Sequence, residues 1–385
     1  AGAYYVQEAS SMFLEQALKQ SCDLTRSLKV LDLCAAPGGK STLIQSLITH
    51  DSLLVSNEVI KTRVNILEEN IVKWGAANVV VTNNDPKDFQ RLHSFFDIIV
   101  VDAPCSGSGL FRRDPDAINE WSEQNVELCS QRQQRILADS LPALKEGGVL
   151  IYSTCSYSKD EDEAISDWLI DNFGLETLSL QLESDWGIFE TRSERRNAYG
   201  YRFFPDKVKG EGFFIAVFKK SVSQNSEPDQ KRSGSFAKTR KEEKLAKDET
   251  IIANSFIADP DKFSLLKLND EILAIPVNII DELSEFQSNL YIKKAGTKIG
   301  TVIRGELIPD HELAMGTIIK PNVKRIEVDE TTAIQYLQRE DIKLPETRPG
   351  WWLISFQGLA LGWVKILPNR INNYYPKNWR ILNKR

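Results

Sequence analysis

Two segments of the sequence end an apolar, β-branched run on a thiol: VVDAPCSGSG at 100–109 carries Cys105, and YSTCSYS at 152–158 carries Cys155. A thiolate is a strong nucleophile and two thiols form a redox couple, so two cysteines that meet in space can do either chemistry. Their separation in sequence leaves a disulfide open. A buried structural cysteine is the ordinary explanation of a single thiol, and Cys22 and Cys129 take that reading. The five cysteines include no CxxC pair and the three histidines are scattered, so no metal site is expected. An odd, sparse set of this kind fits a reduced, cytoplasmic protein rather than a disulfide framework.

A second constellation precedes the thiols. LDLCAAPGGKST joins an apolar run to a helical pattern through small residues and a Gly pair, Cys34, Ala35, Ala36, Pro37, Gly38, Gly39 and Lys40. Such a turn lets backbone approach a ligand closely, and the helix start behind it favours polar or anionic groups. It is neither GxGxxG nor a P-loop, because the latter needs Gly where Cys34 stands. Glu58 ends the next apolar run, about 20 residues on, where a carboxylate can accept both hydroxyls of a ribose. Asp85 follows the third run and Asp102 ends the fourth. One such acid is more often a cap than a ligand; three at equivalent strand ends beside a Gly turn point to an adenosine-type cofactor.

These residues need a framework that brings strand ends together. The runs at 29–34, 53–58, 78–83, 96–102 and 148–154 are short, β-branched and bounded by Gly, Pro, Asn or Asp, as buried parallel strands are. Helical patterns fall near 40–49, 61–74, 119–144 and 161–172. The alternation predicts an α/β fold with a doubly wound, Rossmann-like sheet, whose ligands bind at the carboxyl edge. GEGFFIAVFKK at 210–220 reads as a late strand of that sheet. The expected organisation is a catalytic domain at 1–220, a charged linker at 221–250, a small mixed α/β region at 251–310 and a compact β-rich module at 311–385, with strand-like pieces GTIIK, GWWLISFQG and LGWVKILPN.

Composition sets the outer limits. The chain has 385 residues, 42% hydrophobic and 26% charged, and a net charge of −6. No apolar run approaches the ~20 residues of a membrane span, and the start shows no signal-peptide pattern. The chain opens on Ala1, so upstream sequence is expected to be missing. Charge is uneven: residues 1–220 balance to −9 and residues 221–385 to +3, which puts the basic excess where a nucleic-acid-contacting module would use it.

DAPCSGSG, STCSYSKDEDE, DLCAAPGGKST and YYVQEASSM closely resemble the NOL/NOP/Sun family of RNA 5-methylcytosine methyltransferases, as does YRFFPDKVKGEGFF at 201–214. The resemblance covers about 1–220, and the aromatic, Gly-rich end resembles the family's PUA-like RNA-binding region. It implies S-adenosyl-L-methionine as cofactor, held by the 34–40 turn, Glu58, Asp85 and Asp102. It implies Cys155 as nucleophile, Cys105 as the residue that assists product release, and Asp102 as the group that orients the base or the methionine end, with Lys40 beside the reacting centre. The sequence departs from the family's pattern at Pro86, which follows Asp85 where a small residue is usual and which restricts the backbone there.

The implied substrate is small-subunit (16S) ribosomal RNA, free or in the 30S subunit, with transfer RNA as the competing target and a monomeric enzyme expected. A non-catalytic RNA-binding assembly factor needs neither thiol; a thiol redox enzyme needs both. A base in structured RNA must be exposed before a thiol reaches it. Arg112 and Arg113, after Cys105, and Arg370, Tyr374, Tyr375 and Lys377, near the C-terminus, are the candidate RNA contacts. Trp351, Trp352 and Trp363 read as core of the last module.

Overall fold

The computed structural model describes residues 2–222, 245–345 and 348–382. Five parallel strands form the centre of its largest sheet: β1 (Lys29–Asp32), β2 (Leu53–Asn57), β3 (Val79–Thr82), β4 (Phe96–Asp102) and β5 (Leu144–Thr154). Their order is β3-β2-β1-β4-β5, so the direction of winding reverses between β1 and β4. A crevice opens at such a reversal, outside the carboxyl ends of the strands. The sheet continues through antiparallel strands Phe213–Lys219, Tyr199–Phe203 and Phe189–Arg192.

Alternation along each strand divides two cores. Leu31, Val55, Val80, Ile99, Val101 and Leu150 face one way, against Ile136 and Leu137 of the helix Glu123–Ser140 and Ile165 and Leu169 of the helix Glu163–Phe173. Val30, Leu54, Val79, Val81, Ile98, Val100 and Ile151 face the other, against helices Leu14–Ser21, Gly39–Leu47 and Lys61–Trp74. Burial on both faces is why these strands read as continuous apolar runs.

Most of the charged stretch 221–250 lies outside the described residues; its last part enters the helix Lys247–Asn254. Two four-stranded sheets follow among the described residues, one over Phe263–Pro309 and one over Arg325–Asn373. Trp352 and Trp363 are buried in these modules. GTIIK is not a strand: the Thr317 amide donates to Gly75 O at 3.0 Å, and only Ile319 forms an isolated bridge, to Ile257.

The modules are joined to the large sheet. The short strand Ile292–Lys294 pairs antiparallel with β3, and Phe286 of the helix Ile280–Asn289 packs against Phe95, ring centroids 5.2 Å apart. No helix among the described residues is long and apolar enough to cross a membrane.

Candidate active site

The turn after β1 is shaped from outside. Gly38 takes φ +115°, a conformation that L side chains rarely adopt, and a Cβ on Gly39 would meet Tyr5 and Gln7 at 3.1 Å. Three side chains hold its carbonyls: Gln7 Nε2 donates to Gly39 O at 2.7 Å, Arg63 Nη2 to Ala36 O at 2.7 Å, and Asn70 Nδ2 to Pro37 O at 2.8 Å. Asn57 ties neighbouring strand ends together, donating to Leu33 O and Asn84 O and accepting from Thr82 Oγ1. Burial, and then the carboxylates of Asp102, Asp32 and Glu58, push the Cys34 thiol well up, as befits a packing residue.

Two acids at this edge keep an acceptor unused. Glu58 is 2% exposed; its Oε1 accepts from Ile60 N at 2.8 Å, while Oε2 has no hydrogen-bond donor among the described residues and stands 3.4 Å from Arg63 Nη1. Asp32 is fully buried, accepts from Ser41 Oγ at 2.6 Å and leaves Oδ1 unpartnered; burial raises its pKa to about 7 against the pull of Ser41 and Lys40. Buried polar atoms without a hydrogen-bond partner are rare in native proteins, and at a sheet edge such atoms are placed to accept from a ligand.

Asp85 is engaged differently. Its carboxylate caps the short helix Pro86–Arg91 by accepting from Lys87 N at 3.2 Å, and it pairs with Arg135 at 3.3 Å. Pro86 at the first helical position is what that cap requires, since its fixed φ suits the turn and the missing N–H needs no partner.

The thiols meet. β4 and β5 are neighbours in register, Asp102 opposite Ser153, and the loops leaving them bring Cys105 Sγ to 2.8 Å from Cys155 Sγ, both cysteines free. Asp102 accepts from Ser153 Oγ at 2.8 Å and from Lys40 Nζ at 2.7 Å. Burial pulls the Lys40 ammonium down, but Asp102, Asp32 and Cys155 outweigh it and leave its pKa above the ordinary lysine value. The hydrogen bond with Cys155, then burial and the Cys155 and Glu161 charges, hold the Cys105 thiol well above its usual range. Gly109 lets the two loops touch: its amide donates to Cys155 O at 2.8 Å, and a Cβ there would meet Gly212 O at 2.5 Å.

Residues not singled out in the sequence complete the site. Glu161, fully buried, accepts from Ser106 N at 2.9 Å, Gln133 Nε2 at 3.0 Å, Ser156 Oγ at 2.7 Å and Ser106 Oγ. Asp162 accepts from Thr154 Oγ1 at 2.6 Å and pairs with Arg202, which also pairs with Glu163. The DEDE run reads as a solvated helix start because the donors that bury it come from other segments.

The RNA candidates separate. Arg112 and Arg113 are both exposed, and Arg112 Nη2 donates to Gly210 O at 2.9 Å and to Glu211 at 3.0 Å. Arg370 and Lys377 are exposed, and Tyr374, 39% exposed, sits edge-on to Trp351 with centroids 4.5 Å apart. Tyr375 is corrected: at 6% exposure it packs against Tyr336 and His311 and offers no face to a base.

Known proteins share this chain's sequence and fold. The family model described as 16S rRNA methyltransferase RsmB/F matches residues 21–219, and that described as methyltransferase RsmF PUA domain matches residues 323–381. Ribosomal RNA small subunit methyltransferase F of Shewanella loihica is 32% identical over 98% of this chain and 77% of the relative. The protein of the same name from Aeromonas salmonicida is 32% identical over 98% of this chain and 78% of its own length. Among solved structures, NSun6 from Pyrococcus horikoshii with SFG is similar at 28% identity and a TM-score of 0.50, over 58% of this chain and 54% of that one.

Proposed function

Since the chain belongs to the RsmB/F family of 16S rRNA methyltransferases, we propose that it methylates carbon 5 of a cytosine in small-subunit ribosomal RNA through a covalent adduct with Cys155. The chain is an S-adenosylmethionine-dependent RNA methyltransferase whose residues 323–381 match the RsmF PUA domain. The observation that carries the finer reading is the contact of two free thiols, 2.8 Å apart, at the carboxyl edge beside the Lys40–Asp102 pair. An RNA-binding protein needs no such pair.

The cofactor fits the residues present. Glu58 has a buried oxygen with no hydrogen-bond donor among the described residues, paired only with Arg63, that could accept from a ribose diol, and the Gly38–Gly39 turn lets backbone lie close to a ligand. Glu58 and the 34–40 turn would hold the adenosine part, with Asp102, oriented by Lys40 and Ser153, at the reacting end. Asp85 would contribute only by sharing its carboxylate between ligand and Arg135. When bound, S-adenosylmethionine supplies an electrophilic methyl group.

Carbon 5 of cytosine is too poor a nucleophile to take that methyl unaided. Cys155 attacks carbon 6 as a thiolate; the S–C bond forms and the ring electrons move to carbon 5, which becomes enamine-like. After methylation, carbon 5 gives its proton to water, the C–H electrons close the carbon 5–carbon 6 double bond, the S–C bond breaks, and its electron pair returns to Cys155. Cys105, in contact with Cys155, assists that elimination. Arg113 near the site and Arg370, Tyr374 and Lys377 on the last module are the proposed RNA contacts.

The deciding experiment incubates Cys105→Ala with 16S ribosomal RNA and S-adenosylmethionine and resolves the products on a denaturing gel. A protein–RNA adduct should accumulate and vanish when Cys155 is also replaced. Absence of adduct while the wild type methylates the same RNA overturns the division of labour between the thiols. Running free RNA and 30S subunits in parallel identifies the substrate form.

A further inference from the structure

We propose that Glu161 is the positioning residue that sets the spacing of the two thiols, by holding the residue after each cysteine on one buried carboxylate. This rests on the two-cysteine reading above. Ser106 follows Cys105 and Ser156 follows Cys155, and both donate to Glu161: Ser106 N to Oε1 at 2.9 Å, Ser156 Oγ to Oε2 at 2.7 Å, and Ser106 Oγ to Oε2. Gln133 Nε2 supplies the remaining donor at 3.0 Å and also donates to Pro104 O at 3.1 Å, on the other side of Cys105.

The anchor is itself anchored. Glu161 is fully buried, and the buried Tyr152 hydroxyl donates to its carbonyl at 2.6 Å. Two carboxylate oxygens thus receive four donors, from the loop after β4, the loop after β5 and the helix Glu123–Ser140. A carboxylate is acceptor-only, whereas an amide of the same shape has one acceptor oxygen and presents N–H groups to donors. No neutral side chain of this size satisfies all four. Glu161 also lies among the charges that hold the Cys105 thiol above its usual range, behind the hydrogen bond with Cys155 and burial. Glu161 therefore ties down the residues beside both thiols and adds to the charges that hold the Cys105 thiol up.

The test is Glu161→Gln in the full chain, beside Cys155→Ala. Glu161→Gln is expected to lower kcat about 100-fold, the scale of a displacement near 1 Å at reacting groups. KM for 16S ribosomal RNA and affinity for S-adenosylmethionine should stay within about threefold, because Glu161 is fully buried and presents no surface to either ligand. In a Cys155→Ala background, iodoacetamide labelling of Cys105 should reach half-rate at lower pH once the Glu161 charge is removed. A role in general folding predicts none of that labelling shift. An unchanged kcat and labelling profile in Glu161→Gln, with Cys155→Ala inactive, overturns the proposal and leaves the two-cysteine reading standing. Equal losses in kcat and cofactor affinity also overturn it, since they report structural damage. Full turnover by Cys155→Ala instead removes the reading on which it rests. Should Glu161→Gln not fold, Ser156→Ala deletes a single donor and is expected to cost about tenfold in kcat with cofactor affinity intact; unchanged kcat there overturns the proposal.

Discussion

Lys40 Nζ lies 2.7 Å from Asp102 Oδ2, linking the first turn of the helix after β1 to the last residue of β4. The bond spans the point where the sheet's winding reverses, and Ser153 at the end of β5 fixes the other oxygen of Asp102 at 2.8 Å. A helix start and a neighbouring strand end therefore orient one carboxylate.

Removing that carboxylate should damage turnover far more than stability. Asp102→Ala is expected to lower kcat for methyl transfer by on the order of 100-fold, comparable to losing one preorganised polar group at a reacting centre. Lys40→Met, which frees Asp102 to rotate, should cost about tenfold or more. Initial rates of labelled-methyl incorporation into 16S ribosomal RNA measure both. A wild-type rate in Asp102→Ala removes the residue from the proposed reacting end.

Adjacent tyrosines in the last module should behave in opposite ways. Tyr375 is 6% exposed and touches His311 and Tyr336, so Tyr375→Ala should destabilise the module by about 3 kcal/mol. Tyr374 is 39% exposed, and Tyr374→Ala should leave unfolding within about 0.5 kcal/mol. Its RNA affinity should fall roughly fivefold or more through lost stacking, read by filter binding. Unchanged RNA affinity in Tyr374→Ala takes that tyrosine off the RNA surface.

Asp32 should make the apo protein less stable as pH rises. Its pKa stands at about 7 when folded against an ordinary 3.8, chiefly because of burial. Between those values the native chain keeps a proton that the unfolded chain has released, so stability falls with rising pH across the window and levels off above it. Asp32→Asn removes the titration. The gap in thermal midpoint between mutant and wild type is expected to widen by about 3 °C or more from pH 4.5 to 7.5. A constant gap shows that Asp32 ionises normally in the fold.

The strands and the Gly turn were legible because a sheet buried on both faces writes continuous β-branched runs, and the two cysteines were legible because each terminates such a run. Glu161 was not, since DEDE has the composition of a wet surface and it takes the distant Ser106 and Gln133, with nearby Ser156, to reveal it as an interior anchor. Ile292–Lys294 was not, because three residues carry no periodicity and their partner is an edge some 210 positions earlier, Val81 and Thr82. Arg112 beside the site looked like a phosphate contact; its acceptors at Gly210 and Glu211 come from a loop that nothing near Arg112 in sequence announces.

The pairing of Ile292–Lys294 with β3 has a mechanical side. Tyr291, just before it, exchanges bonds with Asn84, receiving at its carbonyl from Asn84 Nδ2 at 3.1 Å and giving its amide to Asn84 Oδ1 at 2.8 Å. Farther along, Thr317 bonds Gly75, and Lys73 lies 4.9 Å from the Trp379 ring centroid. The C-terminal modules are thus held against β3, the strand that Asp85 follows, by several contacts at once. Turning these modules away from the sheet would break the strand pairing and the side-chain bonds together.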